Sequence, residues 1–80
     1  MKLVVDKGIF TVYDFDGTEK HESSNRDLAI AELEQLGALG PEVEAALQDL
    51  AVNNNNTAHF GIKGTFMFTE KQIKGSIKWQ

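Results

Sequence analysis

The hydrophobic positions along the chain change their spacing twice, and the two changes divide the sequence into three parts. In the first part, residues 3–5 and 9–13 are short β-prone runs joined by the turn sequence Asp6-Lys7-Gly8. A second turn sequence, Asp16-Gly17, precedes residues 18–22, which fit either a short polar edge strand or a loop. Residues 2–22 therefore predict an N-terminal hairpin, with or without a third strand.

The second part has the spacing of α-helices. Asn25 and the two serines before it offer N-cap oxygens, and Gly37 or Gly40 would end a first helix. Pro41 fits the first turn of a second helix. That helix repeats apolar side chains at intervals of three and four residues, at Val43, Ala46, Leu47, Leu50 and Ala51. The pattern predicts a helical pair over residues 25–52 and an Asn-rich loop over residues 53–56.

The third part returns to a period of two, which is typical of strands. One face of the first predicted strand would carry Phe60, Ile62, Gly64, Phe66 and Phe68, and Glu70-Lys71 would form the turn. In the second predicted strand Ile73, Ile77 and Trp79 share one face, which favours a core position for Trp79, and Lys74 and Lys78 share the other. The pattern predicts a C-terminal hairpin over residues 58–79.

These parts predict a small single α+β domain over residues 1–80, because a chain of 80 residues is long enough for one domain. The expected order is β-β-(β)-α-α-β-β, with two helices packed on one face of an antiparallel sheet of four or five strands. The helices would cover the apolar face of the C-terminal hairpin, including Phe60, Phe66, Phe68, Ile73, Ile77 and Trp79. The strand order stays open.

The charges are unevenly distributed, and this changes the functional interpretation. The net charge is −4, yet no Lys or Arg occurs from Asp27 to Ile62, a stretch that covers almost all of the predicted helical pair. Such helices have no basic partner for ion pairs three or four residues away. The acidic helical face is therefore predicted to bind a partner, through Glu32, Glu34, Glu42, Glu44 and Asp49. The alternative is that these carboxylates form only a solvated face.

The absence of cysteine excludes disulfides, thiolate nucleophiles and Cys-based zinc sites. A secreted domain of this size often needs disulfides, so the composition favours an intracellular, cytoplasmic protein. The apolar run near the N-terminus is too short for a signal peptide core, and no run approaches the length of a membrane span. No membrane partner is expected.

Residues 12–18 read Val-Tyr-Asp-Phe-Asp-Gly-Thr, which resembles the first motif of the haloacid dehalogenase family, Asp-x-Asp-Gly-Thr after a strand. The resemblance implies that Asp14 is a phosphoryl-accepting nucleophile and Asp16 a general acid/base beside Mg²⁺, on a large parallel sheet. It covers five residues, and Glu19 stands where the family has Leu. The competing interpretation is an Asp-Gly turn between two strands. We favour the turn and predict no enzyme activity, no metal site and no cofactor.

The leading prediction is a non-catalytic protein-binding module whose acidic helical face docks on a basic partner surface. Such surfaces are often nucleic-acid-binding grooves, so an inhibitor or adaptor of a nucleic-acid-processing complex would fit. The acidic chain itself is expected to make no direct contact with nucleic acid. In size and acidity it is similar to small phage-encoded inhibitors.

Two alternative functions stay open. One is a sheet-mediated assembly module, a homodimer or larger homo-oligomer joined through an uncovered edge of the C-terminal hairpin. The other is a Mg²⁺-dependent phosphatase-like remnant that uses Asp14 and Asp16.

Overall fold

A computed structural model describes residues 1–71 of the chain. The elements are β1 (Lys2–Asp6), β2 (Ile9–Tyr13), β3 (Glu19–Ser23), α1 (Arg26–Gln35), α2 (Gly40–Asn53), β4 (Thr57–Phe60) and β5 (Phe66–Glu70). This order confirms the predicted α+β fold, with five strands within residues 1–71, since residues 19–23 pair as a strand and not as a loop.

The five strands form one sheet in the order β3-β2-β1-β4-β5, and every neighbouring pair is antiparallel. The N-terminal strand β1 is central, where Leu3 lies opposite Val12 on one side and Ala58 on the other. The turn between β1 and β2 places Lys7 at φ 51° and Gly8 at φ 80°, the left-handed conformation that tight hairpin turns need.

Both helices pack on one face of the sheet, as predicted. α1 lies against β2 and β3, and α2 lies against β4 and β5. The core forms where the apolar helix stripes meet the sheet, and its fully buried side chains include Leu3, Val12, Leu33, Val43 and Ala46. The core therefore runs beneath both helices and fixes which of their surfaces face outward.

Each helix has the termini that the sequence indicates. The Asn25 side chain accepts a hydrogen bond from the Leu28 N–H at 3.1 Å, as an N-cap does. α1 ends where Gly37 adopts φ 113°, and the Ala38 N–H donates back to the Leu33 carbonyl at 2.9 Å. Asn54, at φ 55°, ends α2 in the same way, which accounts for the Asn-rich loop.

The structure corrects the prediction of one continuous strand over residues 60–68. Residues 61–65 form the turn between β4 and β5, and Ile62 at its tip is 88% exposed. Phe66 pairs with Phe60, and both are buried or half-buried beneath the helices, but Phe68 lies on the opposite sheet face against His59. The reason is a bulge between these pairs, which inserts one residue and reverses the alternation.

The structure therefore corrects the expectation that the helices cover Phe68. The strand pair that it describes spans residues 57–70. The expected positions of Ile73, Ile77 and Trp79 lie outside the described residues, as does the second strand of the predicted 58–79 hairpin.

Candidate functional site

Two of the five predicted partner-binding carboxylates connect α2 to β5 by hydrogen bonds. A Glu42 oxygen accepts a hydrogen bond from the Phe66 N–H at 2.8 Å. Further along α2, Asp49 accepts a hydrogen bond from the Thr69 hydroxyl. It also accepts one from the Asn53 side-chain amide, at 2.9 Å. Both carboxylates are half-buried. Their geometry gives them a structural role, whatever they contribute to binding.

A third predicted residue, Glu44, faces solvent and forms an ion pair with Arg26, the first residue of α1. The Arg26 Nη2 and Glu44 Oε1 atoms are 3.1 Å apart, and the two side chains are 48% and 61% exposed. An ion pair this exposed contributes only about 0–1 kcal/mol. Because Arg26 is the only Lys or Arg in either helix, this pair neutralises the one cation that the helices carry.

The remaining two predicted residues, Glu32 and Glu34, lie on α1. Glu32 is half-buried and Glu34 is exposed. A Glu34 carboxylate oxygen lies beside Gly40, the first residue of α2, where the positive end of that helix dipole favours a negative charge. The five carboxylates are therefore spread over two helices and do not converge on one point.

Exposed apolar side chains on the helices are a feature that the sequence reasoning missed. Leu28 on α1 is 53% exposed, Leu39 in the linker is 50% exposed, and Val52 near the end of α2 is 76% exposed. Position 28 falls outside the buried stripe of α1, and position 52 outside that of α2, which a stricter assignment of helix faces would have shown. We call the exposed surface of α1, the linker and α2 the helical layer. It combines carboxylates with apolar side chains.

A groove of about 590 Å³ lies between the helical layer and the β1–β2 hairpin. Val5 and Phe10 from the β1–β2 hairpin form one wall, and Leu47, Leu50 and Ala51 of α2 form the other. Polar groups at its rim belong to Arg26, Glu44, Gln48, Asn54 and Asn55. The groove exists because α1 and α2 lie over different halves of the sheet, and its walls join residues far apart in sequence.

The Asp14–Thr18 segment is a turn between β2 and β3. Asp14 accepts a hydrogen bond from the Phe15 N–H at 2.7 Å, and Asp16 accepts one from the Thr18 N–H at 2.9 Å. The hydrogen bonds from Thr18, first from its N–H and then from its side chain, hold the pKa of Asp16 below its usual value. Gly17 has φ 87°, which few other residues adopt readily.

This turn does not fit the Mg²⁺ site that the haloacid dehalogenase resemblance implies. Each carboxylate is engaged by backbone of its own turn, and no group of three or more His, Asp or Glu residues within residues 1–71 is arranged to hold a metal ion. The sheet is also antiparallel throughout, whereas the resemblance implies a parallel one. The similarity is therefore confined to the turn sequence.

Both histidines have local partners. His21 lies 2.8 Å from the Ser23 hydroxyl on β3. On the sheet face opposite the helices, His59 Nε2 lies 2.5 Å from a Glu70 carboxylate oxygen, and its ring stacks on Phe68 with centroids 4.6 Å apart. This group joins β4 to β5 by side chains in addition to the backbone ladder.

Comparisons with protein-family models, with curated proteins and with solved structures found no match to this chain. Neither described helix is long and apolar enough to cross a lipid bilayer.

Proposed function

We propose that this chain is a non-catalytic protein-binding module, and that its helical layer docks on a basic surface of a partner protein. The observation that carries the proposal is the composition of that layer. It exposes carboxylates as well as Leu28, Leu39 and Val52, and the Arg26–Glu44 ion pair already neutralises its single cation. A surface that served only solubility would mix charges of both signs.

The two kinds of side chain would contribute differently to binding. Unpaired carboxylates attract a basic surface over about 10 Å at ordinary salt concentration, which speeds association and selects the partner. The exposed apolar side chains would supply affinity, at roughly 25 cal/mol for each Å² of apolar surface removed from water. The combination suits a partner whose basic surface also has apolar contacts.

The partner class follows from the sign of the charge. Basic protein surfaces commonly serve to bind nucleic acid, so the chain would act as an inhibitor or adaptor of a nucleic-acid-processing complex, in the manner of small phage-encoded inhibitors. Its own net charge of −4 opposes direct contact with phosphates. A cytoplasmic setting, where such complexes occur, is part of the proposal.

The test must separate binding from folding, because Glu42 and Asp49 hold α2 on β5. We therefore reverse the charges on α1, as Glu32→Lys with Glu34→Lys, and compare them with Glu19→Lys with Glu22→Lys on β3. Both double variants change the net charge equally, and circular dichroism verifies that each is folded. The partner is obtained by affinity capture with the wild-type chain, and its affinity for each variant is measured by calorimetry at low and high salt.

The proposal predicts that the α1 variant loses at least about tenfold in affinity, equal to about 1.4 kcal/mol. The β3 variant should stay within about twofold, and wild-type affinity should fall as salt is raised. Equal losses in the two variants, or an affinity independent of salt, would overturn the proposal.

A second candidate function is assembly through the edge of the C-terminal hairpin; the edge at β3, on the other side of the sheet, is poorly suited to it. One edge strand, β3, is only five residues long and carries Glu19, Lys20 and Glu22. Short, charged edges oppose pairing with another chain. A homodimer would show as a rise in sedimentation coefficient with protein concentration, in the wild-type chain without any partner.

A further inference from the structure

The groove between α2 and the β1–β2 hairpin lies at one end of the sheet. At the opposite end, the helix linker rests on the β4–β5 turn, and the Leu39 N–H donates to the Gly64 carbonyl at 3.0 Å. There Leu33, Ala38 and Val43 fill the space beneath the helices. Closer to the β1–β2 turn, a groove of about 590 Å³ runs along α2. This volume is within the range of about 300–1,000 Å³ that ligand sites occupy.

The apolar walls of the groove are only partly covered. Val5, Phe10 and Leu47 pack against the core but stay half-buried, so each keeps apolar surface directed to the groove. Covering them with another apolar side chain would be favourable by roughly 25 cal/mol per Å². The side-chain amide of Asn54 at the rim offers hydrogen bonds to a polypeptide backbone, whereas that of Asn55 already donates to the Thr69 hydroxyl at 2.6 Å.

The rim also offers a negative charge. Among the described residues, Arg26 is the ion-pair partner of Glu44. This ion pair is exposed and contributes about 0–1 kcal/mol. A lysine or arginine from a partner could therefore take the place of Arg26 at little cost. The wider field favours the same sign, because the helices carry six carboxylates and one cation. An acidic segment would be repelled.

We infer that the groove takes a segment of the partner protein in which an aromatic or aliphatic side chain is adjacent to a lysine or arginine. The apolar side chain lies on Val5, Phe10 and Leu47, and the cation binds Glu44. This inference rests on the proposed function and names the part of the basic partner that the helical layer recognises.

The first experiment titrates the ¹⁵N-labelled full chain with three capped tetrapeptides and follows amide chemical shifts. The peptides are Lys-Phe-Leu-Lys, Lys-Ser-Ser-Lys and Glu-Phe-Leu-Glu. The inference predicts that Lys-Phe-Leu-Lys binds at least about fivefold more tightly than the other two, and that it shifts the amides of Gln48, Ala51 and Asn55. Equal binding of Lys-Phe-Leu-Lys and Glu-Phe-Leu-Glu would overturn it, since the charge would then have no role.

The same titration distinguishes the two proposals. If both lysine peptides bind equally and shift only α1 amides, the acidic surface binds cations as proposed but the groove inference fails. If neither lysine peptide binds, the groove inference fails, and the proposed function is decided separately by the charge-reversal experiment with the captured partner.

Matched variants on α2 test the position of the site. Ala51→Phe places a ring in the groove, whereas Ala45→Phe adds the same ring on α2 at a position that does not line it. We expect Ala51→Phe to weaken Lys-Phe-Leu-Lys binding at least about fivefold and Ala45→Phe to change it less than twofold. Arg26→Gln, which leaves Glu44 without its cation, should tighten binding. Equal effects of the two Phe variants, or weaker binding by Arg26→Gln, would overturn the inference.

Discussion

Replacing Gly64 with alanine would disturb the contact that seats the helix pair on the sheet. Gly64 has φ 82°, and a Cβ built on it would lie 2.0 Å from the Gly37 carbonyl oxygen and 3.1 Å from the Ala38 Cα. Ordinary contacts of a Cβ begin near 3.4 Å, and both neighbours are backbone atoms that no rotamer change can move. The helix linker must therefore lift away from the β4–β5 turn.

The cost has three components. A left-handed alanine costs about 1–2 kcal/mol, overpacking a tight contact costs about 1–3 kcal/mol, and weakening the Leu39–Gly64 hydrogen bond costs about 1 kcal/mol. We expect Gly64→Ala to lower the free energy of unfolding by about 3–6 kcal/mol. A domain of 80 residues has only about 4–12 kcal/mol in total, so much of the stability would be lost.

Gly8→Ala is the matched control, because Gly8 has φ 80° and no heavy atom within 4 Å of its added Cβ. It carries the backbone cost without the close contact, so we expect a loss of about 1–2 kcal/mol. Urea unfolding followed by circular dichroism measures both variants, and at about 1 kcal/mol per molar the midpoints should differ by about 2–4 M. Equal midpoints would refute the inferred approach of the linker to the turn.

Three further predictions test the core, the helix anchor and the turn. Leu33→Ala should lower the free energy of unfolding by about 2–5 kcal/mol, because the Leu33 side chain of α1 is fully buried in the core. A loss below about 1 kcal/mol in urea titrations would contradict that packing. Asp49→Ala should lower the free energy of unfolding by about 1.5–3 kcal/mol, because Asp49 accepts a hydrogen bond from Thr69. A double-mutant cycle with Thr69→Val should show a coupling energy of at least about 0.5 kcal/mol. Additive losses would mean that this hydrogen bond does not stabilise the fold. Since the pKa of Asp16 is lower in the folded chain than its usual 3.8, its charged form stabilises the fold above about pH 4, and this contribution is lost as the pH falls through the folded pKa. The stability difference between wild type and Asp16→Ala, measured by urea unfolding across this range, should therefore shrink on acidification, and a difference that stays constant would argue against the hydrogen bonds from Thr18.

Local signals account for the parts of the fold that were predicted correctly. Asn25 caps α1 through an interaction three residues away, and Asn54 ends α2 through its own left-handed conformation. Both depend on neighbouring backbone, so the residue type alone indicates them. The turn at residues 61–65 was not predicted in this way. The period of two continues through these residues and conceals the local signal of Gly61 and Gly64, and the bulge that follows moves Phe68 to the other face.

The candidate site shows the same division. The sequence by itself determined that both helices would be acidic, because Arg26 is the only cation in either of them and it stands at the start of α1. Only the tertiary structure decided which carboxylates are engaged: Glu42 and Asp49 meet partners on β5 more than fifteen residues away along the chain, and Glu44 meets Arg26.

The physical reason is the range of the interactions. Spacing of apolar residues, caps and turn residues act over a few positions and determine which helices and strands form. Strand order, the placement of β1 at the centre, and the groove between α2 and the β1–β2 hairpin depend on contacts between distant segments. Such contacts are chosen by how the whole core packs. The sequence therefore determined that the helical layer is acidic, and the packing decided which of its carboxylates have partners within the fold.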